Sequence, residues 1–190
     1  MHSTALKALA LATMALLAGC GERPASTPLP GAPAAQGAEQ PAAATGPQFA
    51  AAEDGPQVMG FPSRGTCSLE NVVDMATQAP SPGSEPNSYR VARAASYRLI
   101  GFATDSEAGT VPSGLRLFLQ GPQAYSIDAQ GGLERADVAA FFKKPGLANA
   151  GYQADAGFAN VQPGRYDVFV VNTFGGDRVL CPTHQAIIVE

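Results

Sequence analysis

Few residues in this chain are of a type and spacing that could do chemistry. It holds three cysteines and two histidines. His2 stands at the extreme N-terminus, which leaves His184, beside Pro182, as the one imidazole of the main body. A serine nucleophile of the hydrolase type sits on a sharp Gly-x-Ser-x-Gly elbow, and no such pentapeptide is present. The glycine-rich segments do not have the spacing of a phosphate loop. Asp155 and Asp167 are acids on separate expected strands, and nothing in the pattern sets them about 5–9 Å apart as glycoside chemistry requires. The run Asp105-Ser106-Glu107-Ala108-Gly109 starts like a calcium loop, but its twelfth position is Arg116 rather than a glutamate, so it reads as a solvated turn. Two cysteines and one histidine do not make a zinc set. The expectation is a protein without catalytic residues, metal or cofactor, and a hydrolase hidden in the pattern is the remotest alternative. The most specific polar pair is Arg135 and Asp137. It could be a ligand-binding fork, because guanidinium offers planar paired donors. It could equally be structural, with Arg135 bracing a loop and Asp137 capping a short helix. The structural role is the expected one.

The N-terminal residues carry a different chemistry. Lys7 precedes an apolar run from Ala8 to Gly19, shorter than the about 20 residues a membrane-spanning helix needs. A positive charge, a short apolar stretch and small residues make the pattern of a cleaved leader. The run ends in Leu17-Ala18-Gly19-Cys20, which resembles the lipobox of bacterial lipoprotein precursors. The resemblance implies cleavage before Cys20, leaving residues 1–19 as signal peptide, and a diacylglyceryl thioether plus an N-acyl chain (a palmitate, for instance) on that cysteine. One acyl chain anchors only marginally, and several anchor stably. The resemblance also implies that Gly21, in place of an aspartate, favours the outer membrane.

From Gly21 to about Pro62 the chain is mostly alanine, proline, glycine, glutamine, serine and threonine, with few large apolar residues. Such a composition buries too little apolar surface to offset its ordering entropy. Residues 20–62 therefore read as a lipidated cysteine on a tether, with an average reach of about 35–40 Å. Residues 66–190 have the size of one domain. The net charge of −4 and the lack of any basic run argue against a nucleic-acid partner. With Cys20 lipidated, Cys67 and Cys181 remain. In an oxidising periplasm they are expected to form a disulfide, the alternatives being free thiols or a metal site.

The domain reads as short strands. Leu115, Leu117 and Leu119 alternate within 114–120, and Tyr166, Val168 and Val170 alternate within 165–173. Gly175-Gly176 is a hairpin turn leading into 178–180, and 185–189 closes the chain. Further strands are expected at 90–94, 97–103, 124–127 and 152–158, with one short helix at 135–143 ended by Pro145-Gly146. Phe141 and Phe142 should cover a sheet edge. Seven or eight strands and one short helix indicate a mainly β fold, an antiparallel Ig-like β-sandwich.

The order Gly101-Phe102-Ala103, Arg135-Ala136-Asp137-Val138, Gly151-Tyr152 and Gly164-Arg165-Tyr166-Asp167-Val168 resembles a recurrent Ig-like β-sandwich module of bacterial envelope and polysaccharide-related proteins. That module reads Gly-Trp-Ala…Arg-x-Asp-Val…Gly-Phe. Phe102 stands where tryptophan is usual, and Tyr152 where phenylalanine is usual. The resemblance implies an accessory role and carries over no catalytic residue. The functional expectation is a lipid-anchored envelope lipoprotein that presents a non-catalytic module to an envelope protein. The alternative is a glycan-binding module, for which Tyr89, Tyr97, Tyr125, Tyr152 and Tyr166 would have to supply exposed platforms.

Overall fold

A computed structural model describes residues 46–190. Cys20, the expected leader 1–19 and the tether as far as residue 45 lie outside the described residues. The elements in order are β1 (Ala50–Ala51), α1 (Gly55–Val58), β2 (Thr66–Asp74), β3 (Ser88–Val91), β4 (Ser96–Thr104), β5 (Gly114–Gln120), β6 (Tyr125–Leu133), α2 (Ala136–Phe142), a 3₁₀ turn (Pro145–Leu147), β7 (Gly151–Gly157), β8 (Gly164–Phe174) and β9 (Asp177–Val189).

Period-two alternation builds the interior. Tyr97, Leu99 and Ala103 of β4 turn inward, as do Leu115, Leu117 and Leu119 of β5, Tyr152, Ala154 and Ala156 of β7, and Tyr166, Val168 and Val170 of β8. The strands form one nine-stranded, nearly barrel-shaped sheet in the order β2-β4-β7-β6-β5-β8-β9-β3, with β1 alongside β6. The sheet turns back on itself through β6, whose first half pairs with β5 and whose last residues pair with β7. The expected pattern of wholly antiparallel pairing is corrected at one strand. β3 runs parallel to β9, with Ser88 opposite Ala186 and Val91 opposite Val189. The segments expected at 178–180 and 185–189 are one strand of 13 residues that continues through Pro182. A register shift opposite Asp167 and Phe169 accommodates this passage.

The tether expectation is corrected at its C-terminal end. Composition places residues 46–62 in it, yet Phe49 is fully buried, its ring tilted against Phe158 at 4.9 Å between centroids. The Phe49 amide donates to the Gly157 carbonyl, the Gly157 amide to the Pro47 carbonyl, and the Ala52 amide to the Ala124 carbonyl. This strap fills the opening where β6 and β7 part. Further along, Val58 packs with Phe118, Val171 and Leu180 on the outer face of β5, β8 and β9. A few large apolar side chains among many alanines and prolines are enough to fasten the segment, and an average over the window hides them.

The free line between β2 and β9 is closed without a ladder. Cys67 and Cys181 stand at disulfide distance, with Cα atoms 6.2 Å apart. The Tyr89 hydroxyl donates to the Leu69 carbonyl at 3.2 Å, and the Leu69 amide donates to the Gln185 side chain at 3.4 Å. Just upstream, the Leu180 amide donates to the Pro62 carbonyl and the Arg64 amide to the Leu180 carbonyl.

Two expectations follow. Cys181→Ala should lower unfolding stability by about 2–5 kcal/mol, read from the urea midpoint of the oxidised protein, and a shift no larger than that of reduced wild type would confirm the bridge as the cause. Asn172 is fully buried on β8, and neither atom of its amide has a hydrogen-bond partner. Asn172→Val should therefore raise stability by about 1–3 kcal/mol; a lower midpoint would show that the amide is bonded in solution.

Candidate functional site

The bulge in β2 sets up the site. Pairing with β4 slips between Leu69 and Asn71, which takes Glu70 out of the ladder. Arg135 stands at the N-cap of α2, its amide donating to the Ala148 carbonyl. Its guanidinium grips two carboxylates. Nε and Nη2 donate to Asp137 at 2.9 and 2.7 Å, and Nη1 and Nη2 donate to Glu70 at 2.6 and 3.1 Å. The same guanidinium lies 5.4 Å from the centre of the Phe102 ring. Gly151 lets the Arg135 stem pass, since a Cβ there would come within 2.9 Å of its Cγ.

Asp137 was expected to cap the helix. The cap position belongs to Arg135 instead, and Asp137 sits in the first turn, held by the guanidinium. That hydrogen bond brings its carboxyl down to about 2, and the same partners, Asp137 first and then Glu70, push Arg135 further up. Through these bonds Arg135 ties β2 to α2. Glu70 was not foreseen. It lies 65 positions away in sequence, and only the bulge, which leaves no local signature, brings it in.

Around this fork Thr66, Phe102, Val138, Phe141 and Phe142 complete a recess of about 420 Å³. Val138 and Phe142 pack with Leu147 and Ala150, as an edge cover should. Phe141 does not. It is 80% exposed, with its ring edge-on to Phe142 at 5.0 Å.

The other residues of interest are dispersed. Asp155 pairs with Arg98 at 2.7 and 2.9 Å across β4 and β7, while Asp167 lies on β8 beside Arg165. His184 is exposed at the β9 irregularity with a φ of 60°. Together with Arg165, Asp167 and Pro182 it lines a recess of about 280 Å³ that contains no serine, threonine or cysteine. The segment after Asp105 is a turn with Glu107 and Ala108 exposed, as expected, but its first residue is not solvated. Asp105 is buried, accepts from the Ala108 amide at 3.0 Å and is held by Arg64; these bonds, the backbone one first, lower its pKa. Among the described residues no cluster of three potential metal ligands occurs.

The tyrosine platforms are corrected as well. Tyr97, Tyr125, Tyr152 and Tyr166 are buried, and Tyr89 is half-buried on the seam. Tyr152 lies across β4 at Gly101, where a Cβ would stand 2.6 Å from its hydroxyl, and donates to the Ser68 carbonyl at 2.9 Å. Burial raises its pKa. Compared with known proteins, the chain matches no family model and no curated protein.

The fork generates a pH expectation. Asp137 has a folded pKa below its unfolded value of about 3.9, so its contribution is present above about pH 4 and disappears as the pH falls through about 2. The gap in urea midpoint between wild type and Asp137→Asn should close over that window. Arg135→Ala should cost about 1–3 kcal/mol at neutral pH, and Arg135→Lys should restore only part of it, because an ammonium cannot span both carboxylates. Full rescue by lysine would rule out the paired geometry.

Proposed function

We propose that this chain is an envelope lipoprotein, held by acyl chains on Cys20, and that residues 46–190 form a non-catalytic interaction module accessory to an envelope protein. The observation that carries the reading is Leu17-Ala18-Gly19-Cys20 at the end of an apolar run too short to span a bilayer. Gly21 supports the outer membrane as the site of residence. The module is an elaborated Ig-like sandwich in this reading. β2, β4 and β7 with the end of β6 supply one layer, and β5, β8, β9 and β3 with the start of β6 supply the other. The large buried cluster between them draws on both.

A binding role is supported by the state of the polar groups. Arg135 is already matched by two carboxylates, and Asp155 and Asp105 each have an arginine. Groups so paired are suited to holding a shape. The large apolar side chain left exposed at the recess is Phe141, which is the kind of feature a partner covers. The buried tyrosines leave no comparable support for the glycan alternative.

The test uses the full chain in a Gram-negative host fed a clickable fatty acid. Wild type should be labelled and sediment with outer membranes, and Cys20→Ser should do neither. Persistent labelling of Cys20→Ser would sink the anchor. Photoactivatable residues at the exposed positions Phe141 and Met59 should yield adducts with an envelope protein from at least one position; no adduct from either would sink the interaction role.

A further inference from the structure

The recess beside α2 has a chemical bias that narrows its partner. Its floor is apolar, made of Phe102, Val138 and Phe142, and Phe141 stands over it. Its polar side is not neutral. Glu70 and Asp137 share the single guanidinium of Arg135, so the group carries one net negative charge. The side chains of Glu70 and Asp137 are 33% and 67% exposed. An ionised carboxylate has about four acceptor sites, and each of these two accepts two bonds from Arg135. Acceptor capacity therefore remains on the open side. Arg135 has no matching capacity to offer an anion: four of its bonds are made, and its face lies on Phe102. Neither Lys143 nor Lys144 lines the recess, and the Lys144 ammonium donates to the Glu107 carbonyl. The volume, about 420 Å³, is that of a pocket for one or two side chains or a small ligand rather than a groove for a long polymer.

We propose that this recess docks a protein segment carrying an arginine or lysine next to a large apolar side chain. The apolar side chain packs between Phe141 and the floor, and the cation meets the free acceptor sites of Glu70 and Asp137, with Phe141 and Phe142 offering ring faces to it. This rests on the interaction-module reading and gives that module a partner chemistry. A segment rich in aspartate or glutamate is excluded by like charge.

The experiment follows amide shifts of the ¹⁵N-labelled full chain carrying Cys20→Ser. The probe is the peptide acetyl-Gly-Arg-Phe-Leu-Gly-amide, compared with versions in which arginine is replaced by citrulline, its neutral isostere, or by glutamate. The expected result is a saturable shift confined to residues 66–70, 102 and 135–142. Binding should weaken about fivefold for citrulline and about tenfold in the Phe141→Ser variant, whose replaced side chain is 80% exposed; shifts outside the recess matching wild type show that its fold is kept. It should also weaken as salt rises. Equal binding of the citrulline peptide, insensitivity to Phe141→Ser, shifts centred elsewhere, or no shift at about 1 mM peptide would each overturn the proposal. So would a soluble oligosaccharide that moves the same resonances while the peptide does not. These failures are separable from failure of the module itself, because photo-adducts formed from Met59 and not from Phe141 would keep the module and remove this site from it.

Discussion

A sheet that curls almost closed has one line along which no ladder runs, and in this protein that line lies between β2 and β9. Every strand in the path from β2 to β3 is paired on the way round, so the curl persists only if its two ends stay together. They are held by a sulfur bridge, by two side chains that stand in for a neighbouring strand, by residues 62–64 laid against Leu180, and by residues 79–83, whose backbone bonds to both β2 and β3. Unpaired backbone at a sheet edge is a template for foreign strands and, when buried, a cost in desolvation. Closing the line with Tyr89 and Gln185 answers both demands at Leu69. It does so without a tenth strand.

The short motifs of the sequence become intelligible on this frame. Gly101 and Gly151 are both places where a side chain from a neighbouring strand or loop passes close to the backbone: Tyr152 over the first, the Arg135 stem over the second. Phe102, between them in space, receives the Arg135 face. The spaced Gly-Phe-Ala, Arg-x-Asp-Val and Gly-Tyr pieces thus meet at one corner, where β4, β7 and α2 come together. The Tyr152 hydroxyl reaches on to β2, where it donates to the Ser68 carbonyl.

What was legible in the sequence follows from what is local. β4, β5 and β8 alternate cleanly, because each has one face in the interior, and their limits lie within a residue of those expected. The helix after Arg135 was equally visible, as was the Cys67–Cys181 pairing. The strap was not, since two buried side chains, Phe49 and Val58, in a run of small and polar residues barely change its mean polarity. The parallel pairing of β3 depends on a strand nearly 100 positions away, and no periodicity encodes the direction of a partner. At the site, Arg135 and Asp137 announced themselves by spacing, but Glu70 and Phe102 are contributed by other strands. Their meeting is a property of register.

The position of the bridge divides the chain mechanically. Cys67 and Cys181 stand 114 positions apart, and α2 lies between them in the chain. Tension applied from the N-terminal side of Gly46 can peel the strap away, breaking the Phe49–Gly157 and Ala52–Ala124 bonds and drawing Phe49 and Val58 out of their seats. About twenty residues can be paid out in this way, a length of roughly 70 Å. The pull then arrives at a covalent bond. Against a load on the C-terminal end, the force beyond it is carried straight across from β2 to β9, so the strands between them are not stretched. The strap is an extensible leader in series with an inextensible loop.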